Sequence, residues 1–552
     1  LLPCTKILQK SGVFIQTLIK LMAHQRLPLG IQTLKGLRQD NCYYVDKTTL
    51  IHQLVSNGRY YFLSRPRRFG KSLLLDTLRE LFEGNESLFR DLYIYEHWDW
   101  SVNFPVVHLS FDGEKYHKSG GLDRNIDYQL LEIENDFDIE PPPEPCSGPE
   151  RFSRLIKNLH RKTGQEVVVL IDEYDKPILD AIDDRKIALE NRKNLRSFFS
   201  VIKHNARRVR FVFVTGVTMF SKFSLFSDLN HLTDISLRAN YATICGYTDH
   251  DLESVFAPEL EGLDRKEIRR WYNGYHWLGE EKVYNPWDIL NLLDNRKFES
   301  YWFASGSPAF LYKVMMQRQF SPMQIPNLTV DEKFITTFDI DRISVEALMF
   351  QAGYLTITHE KLSTDGTRYT LNYPNHEVQI CFKDELLNYL SGGNCQVQHH
   401  SDKLIKLLLA LDFDGFTAQL RSLLAAIPYQ WQGEHSPARY EAWYGSMLFV
   451  ALDAPGVDIR LEDVSSQGRA DMVLLHGGHV FVFEFKMIET PNDPQSEVQR
   501  SDAAAAAAIE RIQERGYMDK YRCRGEPIYL IGMVFDRNGK GEKPLELKAI
   551  AA

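Results

Sequence analysis

Four near-continuous apolar runs constrain the first half of this chain more than any other feature: Tyr60–Leu63, Pro105–Phe111, Glu166–Ile171 and Val209–Thr215. Helical stretches at Lys71–Phe82, Phe152–Lys162 and Lys176–Asn205 fall between them. A strand that is apolar at successive positions needs cover on both faces, which a parallel sheet flanked by helices supplies. Residues from Gly30 to about Cys245 are therefore expected to form an α/β unit with a parallel sheet. Within it, Leu131–Pro149 carries six acids and the run PPPEPCSGP, and reads as a solvated surface loop.

The remainder changes character. From about Thr248 to Gly393 the pattern is helical with short hairpins dense in Trp and Tyr, and Leu348–Ile357 with Tyr369–Tyr373 reads as the wing of a small helical domain. Asp402–Ile427 is an amphipathic helical pair. From about Ser436 the order helix (Tyr440–Leu452), strand (Val457–Leu461), strand (Asp471–Leu475), strand (Val480–Lys486), helix (Asp502–Arg515), strand (Pro527–Phe535) describes a compact α/β unit. The length of 552 residues suits about three or four domains. A 44% hydrophobic, 12% aromatic composition excludes a largely disordered chain, and a net charge of −9 excludes a uniformly basic coat while leaving room for a local basic groove. Seven cysteines lie singly without a CxxC pair, as expected of free thiols in a reducing cytoplasm. No apolar run approaches the roughly 18 residues of a membrane span. The nearest, Gly12–Ala23, is broken by Gln16, Thr17 and Lys20, and Met22 is read as the natural start.

The first chemistry lies in Ser64–Ser72, SRPRRFGKS, between the strand YYFL and the helix SLLLDTLRELF. A loop there aims backbone N–H groups and a helix dipole at one point, which suits a phosphate. Gly70-Lys71-Ser72 is the second half of a P-loop, in which Lys71 reaches terminal phosphates and Ser72 holds Mg²⁺. Arg65 occupies the position of the usual first glycine. Arg65 and Arg68 add guanidinium donors, and no acid occurs between Lys47 and Leu75. About 100 residues on, the apolar strand VVVLI ends in Asp172-Glu173. Asp172 is placed to hold the magnesium shell and Glu173 to polarise an attacking water. Thr215, ending the next apolar strand, can sense a γ-phosphate or cap the strand; both readings stand.

These motifs, together with YYVDKT (Tyr43–Thr48), TGVTMFSKFSLFSDLNHLTDIS (Thr215–Ser236), CGYT (Cys245–Thr248), WYNGYHW (Trp271–Trp277), YNPWDILNLL (Tyr284–Leu293), YWFASGSP (Tyr301–Pro308) and LMFQAGYLTI (Leu348–Ile357), resemble the AAA-ATPase-like family. The resemblance covers nearly everything after Pro28 and implies ATP binding through Arg65–Ser72 and Asp172. It also implies a C-terminal nuclease-like module, the usual fusion partner in that family. WYNGYHW and YNPWD hold no acid–base pair and are read as lid packing.

The second chemistry is Asp471, in GRAD, and Glu484 and Lys486, in FEFK. A His-Gly-Gly-His turn joins their two strands into a hairpin. Glu484 and Lys486 share one face of the second strand, and Asp471 on the first can lie beside Glu484. Adjacent carboxylates call for a divalent cation between them, with Mg²⁺ the hard-ion candidate, and a lysine there can act on water and phosphate. Glu441 on the preceding helix is the expected third carboxylate. The element order around D…ExK resembles the PD-(D/E)XK nuclease superfamily, although Arg511 stands where that family often has glutamine.

The expected organisation is an N-terminal tail (1–28), an AAA-like P-loop ATPase domain (29–247), a helical lid with winged-helix-like character (248–400), a helical linker (401–435) and a restriction-endonuclease-like α/β domain (436–552). The expected cofactors are ATP and Mg²⁺: Arg65, Arg68, Gly70, Lys71, Ser72, Asp172 and Thr215 bind nucleotide and its metal, Glu173 activates water, and Asp471, Glu484, Lys486 and Glu441 form the nuclease centre. The expected partner is nucleic acid, chiefly DNA, with no membrane, a homo-oligomer left open, and a cytoplasmic location. The other reading is a nucleotide-gated switch whose C-terminal domain binds nucleic acid or protein without catalysis.

Overall fold

The parallel sheet is built where the apolar runs place it. In the computed structural model, which describes residues 25–113, 116–144, 146–219, 225–226, 231–302, 311–312, 314–315, 318, 320, 325, 328–332, 344–364, 366–390, 397–425, 441–452, 457–465, 468–488, 494–536 and 545–552, the chain divides into two compact units. One runs to Trp302 and takes in Val330–Thr370 and Pro374–His376; the other comprises Phe303–Thr329, Leu371–Tyr373 and Glu377–Ala552. Met22 and the stretch before it lie outside the described residues.

The first unit holds β1 (Tyr60–Ser64), β2 (Val106–Ser110), β3 (Val167–Asp172), β4 (Val209–Gly216) and the short β5 (Thr233–Asp234), in the order β2-β3-β4-β1-β5. Their pairings are parallel throughout. Every residue of β3 is buried, as a strand covered on both faces must be. Helices Lys71–Phe82, Gly121–Asp136, Gly148–Thr163 and Arg185–His204 supply the cover, and Leu122, Ile126, Phe152, Leu159, Leu195 and Phe198 belong to the core under them. Gly148–Thr163 begins with a reciprocal Ser147–Glu150 capping box and ends at the left-handed Gly164. The acidic stretch expected as loop from Leu131 is helical as far as Asp136. Leu130, Ile133 and the buried Glu134, paired with Arg151 at 2.6 Å, continue an inward-facing stripe that the acid count obscured.

The aromatic-rich segment from Thr248 to Trp302 packs within this first unit. Tyr43 and Val45 join Leu252, Phe256, Tyr272, Ile289 and their neighbours in a second core. Strands β6 (Asn273–Tyr275) and β7 (Val283–Tyr284) pair antiparallel, and β8 (Leu328–Asp331), β9 (Thr356–Ser363) and β10 (Gly366–Asn372) form a sheet in the order β8-β10-β9 after helix Val345–Ala352.

The second unit is dominated by a mixed sheet, β11 (Asp458–Ser465), β12 (Gly468–His476), β13 (His479–Ile488), β14 (Ile528–Asp536) and β15 (Leu545–Ala551), in sequential order. Only β13 and β14 pair in parallel, and helix Pro494–Glu514 makes that crossover. It starts eight residues before the expected Asp502, with proline in its first turn, where a missing N–H costs nothing. β15 was not expected. The pair expected as a linker, Val397–Leu409 and Phe413–Ala425, packs on helix Glu441–Leu452 and on β15, with Arg421 and Glu546 3.2 Å apart. No helix among the described residues is long and apolar enough to cross a membrane.

The alanine run Ala503–Ala508 has a packing reason. Ala505 and Ala508 are fully buried, and a Cβ added to Gly532 on β14 would lie 2.3 Å from the Ala505 carbonyl oxygen and 3.1 Å from the Ala508 Cβ. The helix therefore rests almost directly on the strand backbone. Gly532→Ala should cost about 1–3 kcal/mol in urea denaturation, as overpacking does. Gly121→Ala, at a helix start with nothing within 4 Å of the new methyl, should be neutral or slightly stabilising.

Candidate functional site

Strand register brings the first site together. Leu63 lies beside Thr215 and Ser64 beside Gly216, while Ile171 lies beside Val214, so Asp172 arrives next to the Thr215 end of β4. The Asp172 carboxylate accepts from Ser72 Oγ at 2.6 Å, from Thr215 Oγ1 at 2.5 Å and from the Glu173 N–H at 3.0 Å. A hydroxyl at the helix start, a buried carboxylate and a strand-end hydroxyl, far apart in sequence, thus share one point at the carboxyl ends of β1, β3 and β4. A hard-oxygen pair such as Ser72 and Asp172 fits Mg²⁺.

The loop itself is bent by a left-handed Arg68 (φ 67) and a left-handed Gly70 (φ 89). A non-glycine residue there is strained, and such strain concentrates at functional turns. Lys71 Nζ lies 3.0 Å from both the Arg65 and the Pro66 carbonyl oxygens, bridging the loop it belongs to. Glu173 is also left-handed (φ 52), and burial pushes its carboxyl up to about 7 against the pull of the Lys71 charge.

The three arginines divide into different roles. Arg65, expected on the phosphates, is fully buried and turned away: its guanidinium donates to the carbonyl oxygens of Ser64 (2.8 Å), Ser236 (2.8 Å) and Tyr241 (3.3 Å) and lies 4.1 Å above the Trp277 ring. The cause is the position it fills. It follows a β1 residue deep in the sheet, and its backbone N–H is held by the Gly216 carbonyl. Burial lowers its pKa to about 10. Arg68 stacks on Trp287 at 3.8 Å. Arg67, which has no expected role in the sequence, has the exposed side chain of the three. The signal for Trp277 and Trp287 lay in the WYNGYHW and YNPWD blocks. They pack on the loop: Tyr275 and Trp277 make edge contacts with Phe69. Sequence reasoning also missed Asp175, whose buried carboxylate accepts from the Thr218 N–H (2.6 Å) and hydroxyl (2.5 Å), tying the turn after β3 to the turn after β4.

In the second unit, Met472 pairs with Phe483, so Asp471 and Glu484 are the next facing pair on the hairpin. Asp471 accepts the Phe485 N–H at 2.7 Å. Glu484 is 1% exposed: one carboxylate oxygen lies 2.9 Å from Arg511 and 3.4 Å from Lys486, and the other, Oε2, is buried with no hydrogen-bond partner among the described residues. Burial and the neighbouring Asp471 push Glu484 up to about 7, and burial also raises Asp471. An orphaned buried carboxylate oxygen beside a second carboxylate suits a divalent cation. Glu441 opens helix Glu441–Leu452, but its side chain lies outside the described residues, and no group of three or more His, Cys, Asp or Glu side chains converges among those described.

Comparison with known proteins agrees with both geometries. Residues 28–226 match the family described as "Predicted AAA-ATPase", and residues 439–541 match the "PD-(D/E)XK nuclease superfamily". A protein of Azotobacter chroococcum mcd 1, described as "Uncharacterized protein in vnfD 5'region", is 45% identical over 524 residues, covering 94% of this chain and 98% of that one. The chain belongs to this AAA-ATPase-like family and ends in a PD-(D/E)XK nuclease-superfamily domain. No solved structure matches it. The expected family and fold class are thereby shown.

Arg65→Met should destabilise the fold by about 2–4 kcal/mol in denaturant titration, because it strands three buried carbonyl groups. Arg67→Ala should leave stability within about 0.5 kcal/mol of the parent, as surface changes do. For Glu173, burial raises the carboxyl from its ordinary 4.5 to about 7 in the folded protein. The stability that its neutral form confers is complete below the lower value and lost as pH rises through the upper one. Glu173→Gln should therefore raise the melting temperature of the nucleotide-free protein relative to the parent at pH 8 but not at pH 4.5; an equal difference at both would refute the buried-carboxyl account.

Proposed function

We propose that this protein is a magnesium-dependent ATPase joined to a divalent-metal-dependent nuclease that acts on DNA in the cytoplasm. The observation that carries the first half is the contact of Ser72 and Thr215 with the single buried Asp172 carboxylate, at the helix start where Lys71 projects. Bound magnesium would neutralise phosphate charge there, with Ser72 and Asp172 holding it. Lys71 gives up its two loop carbonyls and places its ammonium on the terminal phosphates. Arg67 joins it from the exposed side of the loop. Glu173, titrating near neutrality, orients a water and takes up its proton. Thr215 keeps Asp172 in place in the resting site.

The nuclease half rests on the buried Glu484 oxygen that has no partner among the described residues, beside Asp471. These two carboxylates would hold the metal, which supplies charge neutralisation at a phosphodiester. Lys486, 30% exposed and on the same strand face as Glu484, orients the attacking water and stabilises developing charge on the phosphate. DNA as substrate, the cytoplasm as compartment and self-assembly extend the family reading; the singly spaced cysteines support the compartment.

Lys71→Ala should weaken ATP binding at least tenfold by calorimetry, about 1.5–3 kcal/mol for a charged contact, and wild-type affinity in that variant would remove the phosphate assignment. Asp471→Ala and Glu484→Ala should lose both metal binding and DNA cleavage, whereas Lys486→Ala should bind metal and fail to cut. A parent protein that cuts no DNA with Mg²⁺ or Mn²⁺, with or without ATP, would overturn the nuclease half.

A further inference from the structure

Arg511 contacts Glu484 from an element that the metal-site motif does not include. It sits on helix Pro494–Glu514, three residues after the buried Ala508, at the flank of the buried stripe formed by Ala505, Ala508, Ile509 and Ile512. That helix can approach only because Ala505 and Ala508 oppose Gly532, and Gly532 is the residue registered beside Glu484 on the parallel pair β13–β14. The close approach delivers the guanidinium to the buried carboxylate: Arg511 Nη1 lies 2.9 Å from Glu484 Oε1, while the Arg511 side chain remains half exposed. Lys486 is on the same oxygen at 3.4 Å. Among the described residues, Glu484 thus has two cations on one oxygen and no partner on the other. A divalent ion bound between Asp471 and Glu484 would meet Lys486, which the proposed chemistry uses, and Arg511, which it does not.

We propose that Arg511 is an internal counter-cation that competes with the divalent metal for Glu484 and so sets the metal affinity of this site. In the metal-free protein the guanidinium partly compensates a carboxylate that would otherwise be buried beside a second one. When metal enters, that ion pair has to loosen, and the half-exposed side chain has solvent into which to turn. The affinity is correspondingly weaker than the two carboxylates alone would give. Arg511 is a positioning residue in this account and takes no part in bond breaking. The inference rests on the assignment of Asp471 and Glu484 as the metal pair.

The test is a calorimetric titration of the nucleotide-free full-length protein with Mn²⁺, with Glu484→Gln defining which heat belongs to this site. Arg511→Gln and Arg511→Ala, both with folding confirmed by circular dichroism, should bind Mn²⁺ about fivefold or more tightly than the parent, the scale of one partly exposed ion pair. The gain should vanish when Glu484→Gln is added. Parent-like or weaker affinity in both variants overturns the role of Arg511 and leaves the metal site standing. If the parent and both variants show no heat that Glu484→Gln abolishes, the metal assignment fails and takes this inference with it.

Discussion

The ATPase-like module depends on the Asp172 carboxylate. It is buried, yet it touches the first turn of helix Lys71–Phe82 through Ser72 and the end of β4 through Thr215. A carboxylate so placed is stable only while its acceptors are filled, because burying a charge without partners costs several kcal/mol. The two hydroxyls and the Glu173 N–H fill them in the absence of ligand. The same hydroxyl–carboxylate pair is a ready oxygen set for a cation, so the contacts that preserve the resting fold are those that ligand would rearrange. Asp175 repeats the device one turn on, holding the β4 turn through Thr218. Two acids three residues apart thereby lock the ends of adjacent strands in register.

Much of this was legible before any coordinates. The apolar runs, the Gly-Lys-Ser step and the acids closing VVVLI placed Lys71, Ser72 and Asp172, because strand, loop and helix periodicities switch there without ambiguity. The reading failed where one residue type serves different ends. Charge density alone grouped Arg65 and Arg68 with the phosphate ligands, and it could not separate a guanidinium sunk among three backbone carbonyls from one stacked on Trp287 or from the exposed Arg67. Those choices are made chiefly by Ser236, Tyr241, Trp277 and Trp287, each more than 150 residues away in sequence, which no local window contains. Acid count misled in the same way at Glu134, whose partner Arg151 lies on the next helix.

In the second unit the motif D…ExK was legible, and its periodicity put Glu484 and Lys486 on one face. The helix above it was legible only as a helix. Six alanines signal helical propensity, and a string of such residues carries no marker of which face is buried. Gly532 decides that, since its missing side chain admits the Ala505 backbone. The low-complexity stretch is thus a spacing device, and what it spaces is the charge environment of Glu484.

Both modules hold a glutamate whose carboxyl burial pushes up to about 7, Glu173 in one and Glu484 in the other. Each therefore opposes folding increasingly as pH rises through neutrality, where the charged form has to be accommodated in a site that disfavours it. A residue with that liability in a purely structural setting is readily replaced by glutamine or an apolar side chain. Its presence next to Lys71 in one unit, and next to Asp471 and Lys486 in the other, gives the charge a use that the bare fold does not. A nucleotide or metal ion bound to the native state alone would return that stability by mass action.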